Sequence, residues 1–442
     1  MKTNKIKTNK IKTNKTRKIT NINLEKINGY NVLFLRNHSD TISIQSYIFK
    51  GFIHEKKSNM GINHLLEHVL SNAYKNCDNY NCYEYLNLLG LMSNASTNHN
   101  IINYYATGLL KETNDIIDYI VNITVNPIFN NDLVEKEKSA VHNELLISLD
   151  NPDQKLYNKM AKHFYNIEGL KYMDDDQLMI DNLKKLDYNY LMKYYKKNYN
   201  CNNTLFVVSG NYNKKIVKQQ FKINLPYTPI KIKEKYINYK KINCFTNKSG
   251  IYHIQDKSIQ STKILFYFPT NFYINSKKLT TLNIAASILQ VLLFDKLRVE
   301  EELIYNINFD TIVNTCGTIQ EIFVNTRNIN FLQVINEFKT TINKYKKEKF
   351  CDTYITAEKT KYLIKYNNAK FLNSTQLANK YGPQYIYNHF LNTKIQSNEE
   401  YKDCIMKVTA NEIRNIINEV FNFEKCMLVY SNNENNNNIT EI

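Results

Sequence analysis

The chain has 442 residues, 58 Lys+Arg against 41 Asp+Glu, a formal charge of +17, and 43% hydrophobic residues with ten Gly and six Pro. That apolar content excludes a disordered chain, and so little Gly and Pro excludes collagen-like or linker arrays. The length suits two domains or two halves, each burying its own core. The longest apolar stretch, Ile284 to Phe294, is interrupted by Ser287 and Gln290. It falls far short of the ~20 residues of a membrane span, so a soluble protein with no membrane partner is expected.

Residues 1–18 carry eight basic side chains and no acid, and Ile-Lys-Thr-Asn-Lys occurs twice, from Ile6 and from Ile11. A five-residue period gives no common helical face. Residues 1–20 therefore read as a basic low-complexity tail, either solvated chain or a mitochondrial targeting segment. The remaining surplus, 17 − 8 = 9, is spread along the chain, so no nucleic-acid partner is expected. The eight Cys include no C-x-x-C pair. They read as free thiols in an intracellular, reducing compartment, with cytoplasm and mitochondrial matrix both open.

Tyr30–Leu35 and Ser43–Lys50 alternate or carry β-branched residues, as strands do. Gly61–Asn72 spaces Ile62, Leu65, Leu66, Val69 and Leu70 as a helix. Asn103–Gly108 reads as a strand, and Asn114–Asn126, Asp132–Leu149 and Leu183–Tyr199 read as helices before a strand at Thr204–Ser209. A polar Lys/Tyr/Pro stretch then breaks the periodicity, giving a linker at 222–244. The second half repeats the order. Ile264–Phe268 is a strand, Leu279–Leu297 a helix, and Gln320–Asn325 a strand. Asn330–Lys346, Thr356–Tyr366 and Thr409–Val420 are helices, and Cys426–Tyr430 is the closing strand. The predicted fold class is α+β, with two tandem, similar halves (21–221 and 245–430), each a mixed sheet flanked by helices. Residues 431–442 read as an Asn-rich tail.

The sharpest feature is Gly61-Ile-Asn-His64-Leu-Leu-Glu67-His68. On a helix, His64 and His68 are four apart and share a face, so two imidazoles can bind one Zn²⁺. Glu67 reaches the open coordination position without being a ligand. The pattern is H-x-x-E-H. Zinc needs a third protein ligand, which a carboxylate on another helix can supply. The helix Asp132–Leu149 offers Glu135, Glu137 and Glu144. Glu137 and Glu144 share a face through Val141, so one can bind metal while the other orients a ligand. His142 lies on a different side.

At these residues the chain resembles the inverzincin peptidases: the pitrilysin, insulysin and mitochondrial processing peptidase family. The likeness extends beyond the zinc helix. It takes in Gly51-Phe-Ile-His-Glu-Lys, Met60-Gly61, and Leu89 to Thr97 followed by Tyr104. It also includes Thr204–Asn211 and Leu293-Phe-Asp-Lys-Leu-Arg298 followed by Tyr305. Asn63 stands where the family usually has a small residue, and Glu302 where it usually has Gly. The resemblance implies a zinc metalloendopeptidase with one Zn²⁺ on His64, His68 and Glu144. It implies Glu67 as general base, Glu137 in support, and Arg298 and Tyr305 as donors to substrate or oxyanion. Asn94, Ala95, Thr97 and Tyr104 are implied as the substrate-binding edge. Arg298 also stands out because the chain has only five Arg among its 58 Lys+Arg, and a planar multi-donor group is not replaceable by Lys. The family's two-unit chambers further imply a peptide substrate and a dimer, either with itself or with a similar chain. The alternative implied function is a noncatalytic structural or core subunit on the same fold.

Overall fold

The computed structural model describes residues 22–77, 81–227, 242–246, 248–368, 372–391 and 395–434. The basic tail and most of the expected linker lie outside these residues. The first half contains β1 (Asn23–Ile27), β2 (Tyr30–Arg36), β3 (Thr41–Ile48), α1 (Ile62–Ser71), α2 (Cys82–Leu88), β4 (Met92–Thr97) and β5 (Ile102–Leu109). It continues through α3 (Thr113–Val125), α4 (Asn131–Leu149), α5 (Pro152–Phe164), α6 (Glu168–Lys171), α7 (Asp176–Leu183), α8 (Tyr188–Asn198), β6 (Thr204–Gly210) and α9 (Lys214–Asn224). The second half has β7 (Gly250–Gln255), β8 (Thr262–Thr270), α10 (Lys277–Phe294), β9 (Ile304–Asn314), β10 (Gly317–Thr326), α11 (Phe331–Lys347) and α12 (Asp352–Asn368). Then follow α13 (Ser374–Leu391), α14 (Asn398–Met406), α15 (Ala410–Val420) and β11 (Met427–Asn432).

The first sheet runs β1-β2-β6-β3-β5-β4 and the second β7-β11-β8-β10-β9. Without β1 the two orders are the same. In each, the first and last strands of the half pair in parallel and every other pair is antiparallel. This is the duplicated architecture expected from the pattern of elements. It makes α10 the counterpart of α1, β9 of β4, and α12 of α4.

The inner strands β2, β6, β8 and β11 read as near-continuous apolar runs because both of their faces are covered. In the first sheet, Val32, Phe34, Phe206 and Val208 face the helices of their own half. The alternate residues Leu33, Leu35, Leu205 and Val207 pack on Leu377, Ala378, Tyr381 and Ile386 of α13. In the second sheet, Phe266 and Leu428 face their own helices, while Leu265, Tyr267 and Val429 pack on Leu156, Met160 and Phe164 of α5. Each half thus lends one helix to the back of the other's sheet. A buried Leu or Phe contributes about 1.5–3 kcal/mol, so this exchange joins the halves through a shared apolar core. Gly382 permits it, because a Cβ there would lie 2.4 Å from the Tyr47 ring.

Four expectations are corrected. Leu183–Tyr199 is not one helix: α7 ends at Leu183, and Asp187 caps a new helix by accepting from Tyr190 N at 2.8 Å. Ser431 and Asn432 belong to β11 rather than to the Asn-rich tail, and both are buried. At the near end of the expected linker, residues 222–224 finish α9. The cysteines are not all free, because Cys77–Cys82 and Cys244–Cys316 are disulfides. The chain path brings these pairs together across separations that carry no spacing motif, so the thiol argument for a reducing compartment no longer holds. Among the described residues no helix is long and apolar enough to cross a membrane.

Candidate metal centre

The helix α1 begins at Gly61, whose φ of 93° is left-handed and favours glycine. Gly61 has no side chain to cap the helix, and Glu55 does so instead. Its Oε2 accepts from Gly61 N at 2.7 Å and its Oε1 from Asn63 N at 2.9 Å. The Asn63 carboxamide is fully buried, donates to Gly51 O at 3.1 Å, and accepts from the Tyr194 hydroxyl at 3.1 Å. The residue that departs from the family pattern is therefore a fixing point for the helix. Ile62, Leu65, Leu66, Val69 and Leu70 bury the opposite face.

That anchoring turns His64 and His68 toward α4. Their rings meet edge to face with centroids 5.0 Å apart. Glu144 Oε2 lies 3.5 Å from His64 Nε2 and 3.4 Å from His68 Nε2. The three donor atoms lie within 4.8 Å of one another. Tetrahedral zinc with ligands at 2.0–2.1 Å separates ligand atoms by about 3.3 Å. Two sides of the triangle, 3.4 and 3.5 Å, approach that spacing, and two imidazoles with a carboxylate are zinc donor chemistry, so the three side chains fit the ion. His142 and Glu135 are outside the triangle, and Glu135 pairs with Lys138 at 2.9 Å.

The supporting groups are equally defined. Glu137, only 5% exposed, places Oε2 3.5 Å from His68 Nδ1, and its Oε1 accepts from Asn72 Nδ2 at 3.2 Å. Burial pulls His68 toward neutrality, but Glu137, Glu67 and Glu144 outweigh it and leave its pKa raised. The Glu144 carboxylate is held below its ordinary range by the hydrogen bond from His64. Glu67 is pushed up by burial, against the pull of the Thr97 hydrogen bond and the nearby histidines. Thr97 Oγ1 donates to Glu67 Oε2 at 2.6 Å.

The expected substrate residues separate into three groups. Asn94 and Ala95 lie on β4, the outer strand of the first sheet, beside α1. The Asn94 Oδ1 accepts from Ala95 N at 2.8 Å. Thr97, on the same strand, has its hydroxyl committed to Glu67. Tyr104 is a correction. It is 1% exposed, its hydroxyl meets Tyr199 Oη at 3.2 Å, and its strand β5 is paired on both sides. No edge remains there for a peptide.

Arg298 and Tyr305 are not brought to the triangle. Arg298 lies in a π-helical turn, Asp295–Glu300, that follows α10, and Tyr305 is the second residue of β9, the outer strand of the second sheet. Both are exposed, Tyr305 by 56%, with no hydrogen bond or ion pair to the triangle among the described residues. Between them, Glu302 adopts φ 54°, which accounts for the glycine usual at that place in the resembled family. Glu55 and Asn72 were not among the expected site residues. Their roles depend on backbone amides six to ten residues further along, beyond irregular loops, and spacing does not reveal such contacts.

Residues 31–173 match the family model described as Insulinase (Peptidase family M16). Residues 185–362 match the model described as Peptidase M16 inactive domain. An uncharacterized zinc protease of Rickettsia felis is 24% identical over 415 residues, covering 91% of this chain and 95% of the relative. A protease from Helicobacter pylori has the same fold, with a TM-score of 0.81 and 15% identity over 94% of this chain and all of that one. The periplasmic protease PqqL from Escherichia coli superposes with a TM-score of 0.75 and 16% identity. That match spans 94% of this chain but only 48% of PqqL.

Proposed function

The chain belongs to the insulinase family of peptidases, family M16, and from that premise we propose that it is a zinc-dependent metalloendopeptidase. The observation that carries this reading is the triangle of His64, His68 and Glu144 with Glu67 beside it. Noncatalytic use of the fold places no demand on those four side chains together. Bound zinc would act as a Lewis acid and make a water nucleophilic near neutral pH.

The chain's own residues do the rest. Glu67, raised in pKa by burial and held by Thr97, takes the proton of the attacking water and later gives it to the leaving amine. A peptide or unfolded segment adds as a strand beside Asn94 and Ala95 on β4, held mainly by backbone pairing. Arg298 and Tyr305 donate to substrate carbonyls or to the developing oxyanion. Since both are exposed on the second half, a second chain brings them to the zinc of the first. We read the working form as a dimer with two composite sites, and the twofold length of PqqL supports a two-unit chamber. A heterodimer with a similar chain is the variant of this reading.

The second reading, a noncatalytic core subunit, draws on the description of the model matched by residues 185–362. Metal analysis of the purified chain separates the two. The peptidase reading expects about one zinc per chain and peptide cleavage that a chelator abolishes and added zinc restores. A chain with negligible zinc and no cleavage would favour the core subunit.

A further inference from the structure

We propose that Asn72 is a positioning residue for the metal centre, aiming Glu137 at His68, and that the Cys77–Cys82 disulfide holds it in place. This rests on the zinc reading above. Asn72 follows His68 by four residues at the end of α1, so the two side chains share a face. Its Nδ2 donates to Glu137 Oε1 at 3.2 Å, and its Oδ1 accepts from Cys82 N at 3.2 Å. The chemistry of the partners fixes this orientation. A backbone N–H can face only the oxygen, and a carboxylate only the amino group.

Glu137 thus has one oxygen on Asn72 and the other 3.5 Å from His68 Nδ1. Removing the amide donor would leave a buried carboxylate oxygen unpaired and free the group to rotate. His68 would then lose the partner that sets its tautomer and ring orientation toward the metal. The other anchor is Cys82, the first residue of α2, whose N–H has no partner within its own helix. Cys77 and Cys82 are both buried and bonded to each other, which keeps that N–H in front of Asn72. The contacts run from the disulfide through Asn72 and Glu137 to His68.

The test is the zinc dissociation constant of the full-length chain, measured by competition with a chromogenic chelator, with circular dichroism to check the fold. Asn72→Ala and Glu137→Gln should each weaken zinc by roughly 10–100-fold. The double variant should bind no more weakly than Glu137→Gln alone. Asn72→Asp keeps an oxygen for Cys82 N but has no donor for Glu137. It should fold as wild type and weaken zinc at least as much as Asn72→Ala. Wild-type affinity in Asn72→Asp, or additive losses in the double variant, would overturn the proposal. Cys77→Ser/Cys82→Ser should weaken zinc several-fold in the wild-type background and not in Asn72→Ala. Equal weakening in both backgrounds would remove the disulfide from the account. A wild-type chain that binds no zinc would overturn this proposal and the peptidase reading together. Tight zinc binding that is indifferent to Asn72 would overturn this one alone.

Discussion

The two halves place a helix pair at the same topological position and fill it differently. In the first, α1 presents His64 and His68 to Glu137 and Glu144 on α4. In the second, α10 presents Ser287 to Glu358 on α12. The Ser287 hydroxyl donates to Glu358 Oε2 at 2.7 Å, and Lys361 Nζ sits 2.5 Å from Oε1. Glu358 is as buried as Glu137. The scaffold therefore brings a carboxylate against the facing helix in both halves. Imidazoles opposite it make a candidate metal site, whereas a hydroxyl and an ammonium make a neutralised structural pair. The outer strands diverge in the same way: β4 carries Thr97 to Glu67, while β9 carries Tyr305 into the open.

The largest effect tests that contrast directly. Glu144→Gln should lose zinc, and peptide cleavage should fall by at least about 10³-fold, since both the metal's chemistry and its geometry go. Glu358→Gln should keep one zinc and wild-type cleavage per folded molecule. Its cost should be in stability, about 1–3 kcal/mol by denaturant unfolding. Zinc loss in Glu358→Gln would break the comparison.

A mixing experiment asks whether the halves cooperate between chains. Glu67→Gln and Arg298→Ala should each be poorly active alone. Remixed by reversible dissociation, they should regain about a quarter of wild-type activity, because half the dimers carry one intact composite site. No recovery would place Arg298 in service of its own chain's zinc. A smaller loss, about tenfold in kcat with zinc content unchanged, is expected for Thr97→Val, which removes one hydrogen bond from Glu67.

Glu55 offers a pH signature. Burial pushes its pKa up to about 8, against the pull of the Asn63 and Gly61 amides. A raised folded pKa means its contribution is fully present below about 4.5 and is lost as pH rises through about 8. Glu55→Gln should cost about 1 kcal/mol at pH 5, through a weakened cap, and less at pH 8.5. A cost that grows with pH would contradict this. The smallest effect is Glu302→Gly, which should raise stability by about 1 kcal/mol by relieving a left-handed backbone in a residue with a Cβ.

Much of the centre was legible because it is local. His64, Glu67 and His68 declare themselves by helical spacing, and Glu137 and Glu144 by a shared face on one long helix. The halves were legible from repeated strand and helix periodicity. The helix α13 was missed because Gly382-Pro383 reads as a break, yet Gly382 lets that helix sit on Tyr47 and Pro383 lies within it. The edge strands β1, β7 and β9 were missed because their exposed faces dilute the apolar pattern. Disulfide connectivity, the Glu55 cap and the Asn72 bridge depend on how irregular loops fold back, at separations from 5 to 72 residues, and one-dimensional spacing does not encode them.

In the proposed peptidase the first half holds zinc for catalysis and Glu67 carries the proton. Metal content and peptide cleavage measured side by side on Glu67→Gln test this most directly. The account predicts about one zinc per chain, an unchanged fold, and cleavage reduced by roughly 10²–10⁴-fold. Cleavage at the wild-type rate with zinc still bound would contradict it.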